Sequence, residues 1–74
     1  MATDIDWQKK AANLLKAELA RKGIGYDELR QALEKIGIEK TTNNINVTIN
    51  RGTFSFLFFL QCAEAIQLDK IQLK

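Results

Sequence analysis

The residues of this chain best suited to chemistry run from Thr41 to Gly52, as Thr-Thr-Asn-Asn-Ile-Asn-Val-Thr-Ile-Asn-Arg-Gly. Four Asn and three Thr crowd this segment, with Lys40 before it and Arg51 near its end. No acid occurs between Glu39 and Glu64, although the chain holds nine. Ile45 and Ile49 are four apart, which is helical spacing. A helix burying both would turn amides, hydroxyls and positive charge outward. Such a surface suits a nucleic acid, because an amide side chain can donate to and accept from a base at once. On this reading Asn43, Asn46, Val47 and Asn50 share the face opposite the two Ile, with Asn suited to adenine and Val47 to a thymine methyl. Thr41, Thr42 and Asn44 fall at the helix start, where side chains and backbone N–H groups bind phosphate. Lys40 and Arg51 bracket the segment and can clamp the backbone. Tyr26, at the start of the preceding helix, can offer its hydroxyl to a phosphate. Each also has a plainer reading: solvated polar residues, a Thr that only caps, a Tyr packed under the next helix.

Other chemistries find little support. There is no His, no Gly-rich phosphate loop and no nucleophile with a base beside it, so the sequence predicts no enzyme. Cys62 is the sole cysteine, which rules out an intrachain disulfide and, with no His, leaves no zinc ligand set. No cofactor and no metal are expected. A single unpaired thiol fits a cytoplasmic setting. Asp4 and Asp6 near the N-terminus, with no apolar run, do not read as a signal peptide. The longest apolar stretch, from Phe54 to Leu60, is too short to span a bilayer, so no membrane is expected as a partner. A net charge of +2 permits nucleic-acid contact without demanding it.

Seventy-four residues without Pro or a linker predict a single domain, 1–74, and a core this small gains from tight packing or oligomerisation. Asp6 is a suitable N-cap for a first helix, with Trp7, Ala11, Leu14, Leu15 and Leu19 as its apolar stripe and Trp7 as a core anchor. Gly23 ends it. A second helix begins near Gly25 or Tyr26, buries Leu29, Ala32, Leu33 and Ile36, and stops at Gly37, after which Ile38 returns to the core. Thr41 or Thr42 caps the third segment. Its alternation of Ile45, Val47 and Ile49, followed by Phe54, Phe56 and Phe58 beyond Asn50-Arg51-Gly52-Thr53, also permits a β-hairpin from Ile45 to Phe58. The helix is preferred because its neighbours are helical and a lone hairpin lacks a third strand.

Ser55 caps a fourth helix whose inner face is predicted as Phe56, Phe59, Leu60, Ala63 and Ile66, with Phe58, Cys62 and Ala65 extending it sideways. Leu68 and Ile71 suggest a short closing turn or helix. The run from Phe54 to Leu60 holds more apolar bulk than one helix face can hide. The excess, at Phe54, Leu57 and Phe58, predicts an interface and a homodimer.

Three pieces resemble the lambda-repressor/Cro class of helix-turn-helix domains. Gly23-Ile24-Gly25-Tyr26-Asp27-Glu28-Leu29 is similar to the start of that family's second helix, Ile49-Asn50-Arg51-Gly52 to the end of its recognition helix, and Leu60-Gln61-Cys62-Ala63-Glu64-Ala65-Ile66 to its fourth helix. The stretch from Ala32 to Ile45 is longer than the family's tight turn. The resemblance implies a compact all-α domain of four to five helices, helix-turn-helix in kind with a lengthened turn. It also implies Tyr26 where the family often has a Gln that touches phosphate. The chain further resembles a family of small bacterial proteins catalogued as a domain of unknown function, through Ala12-Asn13-Leu14-Leu15-Lys16-Ala17-Glu18-Leu19, Arg51-Gly52 followed by Phe, and Phe59-Leu60-Gln61-Cys62. Together these lead to an expected DNA-binding module, a transcriptional regulator that docks its third helix in the major groove of double-stranded DNA. The alternative is a helical protein-interaction adaptor acting through the Phe-rich segment.

Overall fold

A computed structural model describes residues 6–73 of the chain. They form an all-α domain of four helices, with no strand among the described residues: α1 Trp7–Arg21, α2 Tyr26–Lys35, α3 Thr42–Arg51 and α4 Phe56–Ala65. The hairpin alternative is thereby set aside, since Ile45 and Ile49 are both fully buried on one side of a helix. Each helix begins where a polar group can satisfy an orphan N–H. Asp6, Thr41 and Ser55 accept from the backbone N–H three residues on, each at 3.0 Å. At α2 the arrangement is reversed, and the Gly25 N–H donates to the Glu28 carboxylate at 2.8 Å.

Three helices end in the same way. The N–H groups of Ile24, Ile38 and Leu68 reach back to the carbonyls of Leu19, Leu33 and Ala63 at 2.8–2.9 Å. The residue before each lies in the left-handed region: Gly23 at φ 68°, Gly37 at 86° and Gln67 at 58°. Each closure folds an apolar residue back onto the core, as expected when a helix ends on such a turn. That core joins Leu15 and Leu19 of α1, Leu29 and Leu33 of α2, Ile45 and Ile49 of α3, and Phe58, Cys62 and Ile66 at α4. Helix α3 packs on α1 and α2, and α2 also packs on α4.

Several expectations need correction. Trp7 is 66% exposed and is no core anchor, because it is the first residue of α1 and burial in that helix begins only at Ala12. Its ring instead lies under the Lys10 ammonium, 5.4 Å from the centroid. Ile36, expected in the core, is exposed at the end of α2. The inner face of α4 is Phe58, Cys62 and Ile66, while Phe56 and Leu60 point outward. Nearly every residue of α4 is apolar, so periodicity cannot set its rotation, and packing against α2 does. No helix forms over residues 68–73. That segment is held to α1 by the Gln72 N–H donating to the Glu18 carboxylate at 3.2 Å, while the Lys22 Nζ donates to the Gln67 carbonyl.

Two polar features depend on this packing. Glu18 is buried, with its carboxylate accepting from the Arg21 guanidinium and from Gln72. Arg21 first, and then the Gln72 N–H, hold its carboxyl below the ordinary value of 4.5. Gly52 is buried where the end of α3 meets the first turn of α1. A Cβ built on it would lie 2.0 Å from the Gln8 carbonyl oxygen, and its φ is +72°.

Gly23 is also at positive φ but has open space around it, so Gly23→Ala should cost about 1–2 kcal/mol. Gly52→Ala adds a backbone clash to the same strain and should cost upwards of about 3 kcal/mol, a large part of the stability of so small a domain. Urea unfolding of the two variants distinguishes them, and equal costs would contradict the close approach. A carboxyl with a depressed folded-state pKa stabilises above its unfolded value and loses that contribution as pH falls through its folded value. The wild-type urea midpoint should therefore fall below about pH 4.5, and Glu18→Gln should flatten much of that fall. A pH profile unchanged in Glu18→Gln would show that Glu18 is not linked to folding.

Candidate nucleic-acid interface

Ile45 and Ile49 face the core, so the opposite side of α3 is turned to solvent. Asn43, Asn46, Val47 and Asn50 are all exposed there, as the spacing predicts. Two of the four Asn are bound to each other. The two N–H groups of Asn50 Nδ2 serve three acceptors, one of them shared: the Asn46 Oδ1 at 2.6 Å, the Asn46 carbonyl at 2.8 Å and the Tyr26 hydroxyl at 3.2 Å. A backbone carbonyl only accepts, so the atom beside it must be the amide nitrogen, and the orientation of the Asn50 amide is set. With that nitrogen engaged, the side-chain groups of these two exposed residues outside the bonded set are the Asn50 Oδ1 and the Asn46 Nδ2, an acceptor and a donor on adjacent turns of one helix. The Tyr26 oxygen accepts from Asn50, which leaves its own O–H to donate. Tyr26 itself is half-buried and packs against the core, so the plainer reading of that residue also holds.

The start of α3 is arranged differently from the sequence expectation. The Thr41 hydroxyl is the helix cap, and the Thr42 hydroxyl donates to Asp27 at 3.1 Å. Asp27 also accepts from Arg30 and Gln31. Arg30 first, and then Thr42, hold its carboxyl below the usual range. An anionic side chain thus stands beside the α3 N-terminus, compensated by Arg30, which also pairs with Glu34 at 3.6 Å. Asn44 is exposed one turn in, with its N–H taken by Thr41. Lys40 lines a shallow depression with Glu34, Glu39 and Thr41, and its ammonium lies 5.7 Å from the Phe58 ring centroid. The opposite end of α3 is the less encumbered one. Arg51 is exposed and has no ion pair among the described residues. The contact of Gly52 with Gln8 brings the first turn of α1, which carries Lys9 and Lys10, to that end.

The sequence did not reveal the Asp27–Thr42 bond, which joins residues fifteen apart and requires the α2–α3 connection to be closed. Nor did it place the first turn of α1 beside Arg51. The one available signal was Gly52 itself, a glycine just past the last residue of the α3 pattern. Of the expected interface residues, Phe58 is only 6% exposed and belongs to the core, because the rotation of α4 turns it inward. Phe54 is half-buried with its ring 5.8 Å from Phe58, and only Leu57 of the three is exposed.

Among the described residues no helix is long and apolar enough to cross a membrane, and no group of three or more His, Cys, Asp or Glu could hold a metal ion. Residues 7–71 match the family described as Domain of unknown function (DUF6471), and the chain belongs to that family. No curated protein and no solved structure matches it.

The Tyr26–Asn50–Asn46 chain can be tested without a ligand. Tyr26→Phe keeps the ring and removes the acceptor. It should cost less than about 1.5 kcal/mol and shift the Asn50 side-chain amide resonances in a ¹⁵N-resolved spectrum. Unshifted Asn50 amide signals would show that the bond to Tyr26 does not form.

Proposed function

We propose that this domain binds double-stranded DNA, with α3 docked in the major groove, as a transcriptional regulator of helix-turn-helix type. The observation that carries the reading is the fixed amide pair on α3. Adenine presents a donor at N6 and an acceptor at N7 in the major groove. The Asn50 Oδ1 and the Asn46 Nδ2 together offer the complement, one atom from each side chain. Preorganisation by Tyr26 lowers the entropy lost on binding. Val47, exposed on the same face, suits an adjacent thymine methyl. Arg51 and the first turn of α1 supply cationic groups for phosphates at the C-terminal end of α3. Asp27, Glu34 and Glu39 make the N-terminal end a poorer phosphate site, so the grip is asymmetric. Six residues, 36–41, separate α2 from α3, which agrees with a lengthened turn.

Fluorescence anisotropy against duplex DNA across a salt series tests this. Each phosphate neutralised contributes about −0.9 to the log–log slope, so Arg51, Lys9 and Lys10 together give a slope of about −3 per chain. Arg51→Ala should weaken binding to every duplex and flatten the slope by about 1. Lys40→Ala should change it less, because that ammonium sits over Phe58. Asn46→Ala and Asn50→Ala should leave the slope unchanged and cost about 1–3 kcal/mol on a selected site alone. If the folded protein binds no duplex at low salt, the reading fails and the adaptor reading takes its place.

A further inference from the structure

Helix α4 has two apolar sides, and the core uses one of them. Phe58, Cys62 and Ile66 face inward, while Phe56, Leu57 and Leu60 are 72%, 66% and 49% exposed. At about 100° per residue these three and Glu64 fall within an arc of about 100°. They form one stripe, apolar through its first turns and acidic at its C-terminal end. Isolated exposed apolar residues are ordinary, but three large ones in one stripe are not.

From this we infer that the outer face of α4 is an isologous interface, covered by α4 of a second copy of this chain running antiparallel and crossing near Leu60. The charge pattern selects that occupant. A two-fold interface sets a patch against itself, so any charge at its centre meets its own kind. Between Arg51 and Glu64 the chain has no charged residue at all, so the centre is neutral. In antiparallel register about Leu60, Phe56 lies opposite Glu64 of the second copy. That carboxylate then stands at the N-terminal end of α4, where the helix dipole favours an anion, with Arg51 just upstream. Neither Arg51 nor Glu64 has an ion pair among the described residues of its own chain. A parallel arrangement would set Glu64 against Glu64. The homodimer expected from the sequence is thus assigned to Phe56, Leu57 and Leu60 instead of Phe54, Leu57 and Phe58. The inference is independent of DNA binding.

Sedimentation equilibrium of the full chain over a micromolar concentration series should show a mass rising from one chain to two. Leu60→Glu places two carboxylates on the two-fold axis and should raise the dissociation constant at least about thirtyfold, the effect of losing a hot spot. Glu64→Lys should raise it about two- to fivefold per site. Ile36→Glu, exposed at the end of α2, should leave it unchanged. Leu60→Cys should cross-link to a covalent dimer under copper–phenanthroline and oxygen. The native Cys62 gives no background, because burial pushes its thiol up to about 12. Circular dichroism establishes that each variant is folded, and if Leu60→Glu is not, Glu64→Lys and Leu60→Cys decide. A wild type that stays monomeric throughout would overturn the interface. A dimer equally tolerant of Leu60→Glu and Ile36→Glu would also overturn it, as would one that Leu60→Cys fails to cross-link.

Discussion

Everything proposed for α3 depends on the burial of Ile45 and Ile49. The helix is ten residues long and has only these two fully buried side chains. Each contributes about 1.5–3 kcal/mol by leaving water. Together they also set the rotation of α3 about its own axis, because the contacts with α1 and α2 accept the helix in one orientation. A turn of about 100°, one residue of helix, would bring an Asn into the core unpaired and expose an Ile. The polar face is therefore held by the apolar one. Gly52 adds the second constraint, since the end of α3 can meet α1 only where no side chain intervenes.

The domain shows the economy and the cost of small size. Repeated closures at Ile24, Ile38 and Leu68 each recover an apolar residue for the core just past a helix end. The C-terminal segment brings the Gln72 N–H over Glu18, so a buried carboxylate is satisfied by backbone and by Arg21. Even so, the core cannot hold all the apolar bulk of α4. A helix that is apolar all round requires cover on both sides. Helix α2 covers one side, and the other is left outward with its single charge, Glu64, near the C-terminal end.

Helix α3 and the face it presents were legible in the sequence because its apolar residues are few and its polar ones many. Two Ile at a spacing of four leave one possible phase. The caps at Asp6 and Ser55 were legible for a similar reason, since a short polar side chain just before an apolar-periodic run has a local role, and at α3 the same reasoning reached Thr41 or Thr42. Where local chemistry was uniform, the pattern was silent. In α4 the apolar residues carry no phase, so nothing in the spacing separates Phe58 and Cys62, which are core, from Phe56 and Leu60, which are exposed. Trp7 looked like an anchor by type, and only its position at the overhanging start of α1 shows that it is not.

Given a helix over α3, a choice that the burial of both Ile on one side makes, the sequence by itself determined the first two helices, their stops at Gly23 and Gly37, and the side of α3 that faces water. These follow from contacts within a few residues, where side-chain type and spacing act directly. Only the tertiary structure decided which face of α4 is core, that Glu18 is buried beneath the returning C-terminal segment, that Asp27 stands at the start of α3, and that Tyr26 orients the Asn50 amide. Each of these joins residues far apart in the chain, and their meeting depends on how the helices pack.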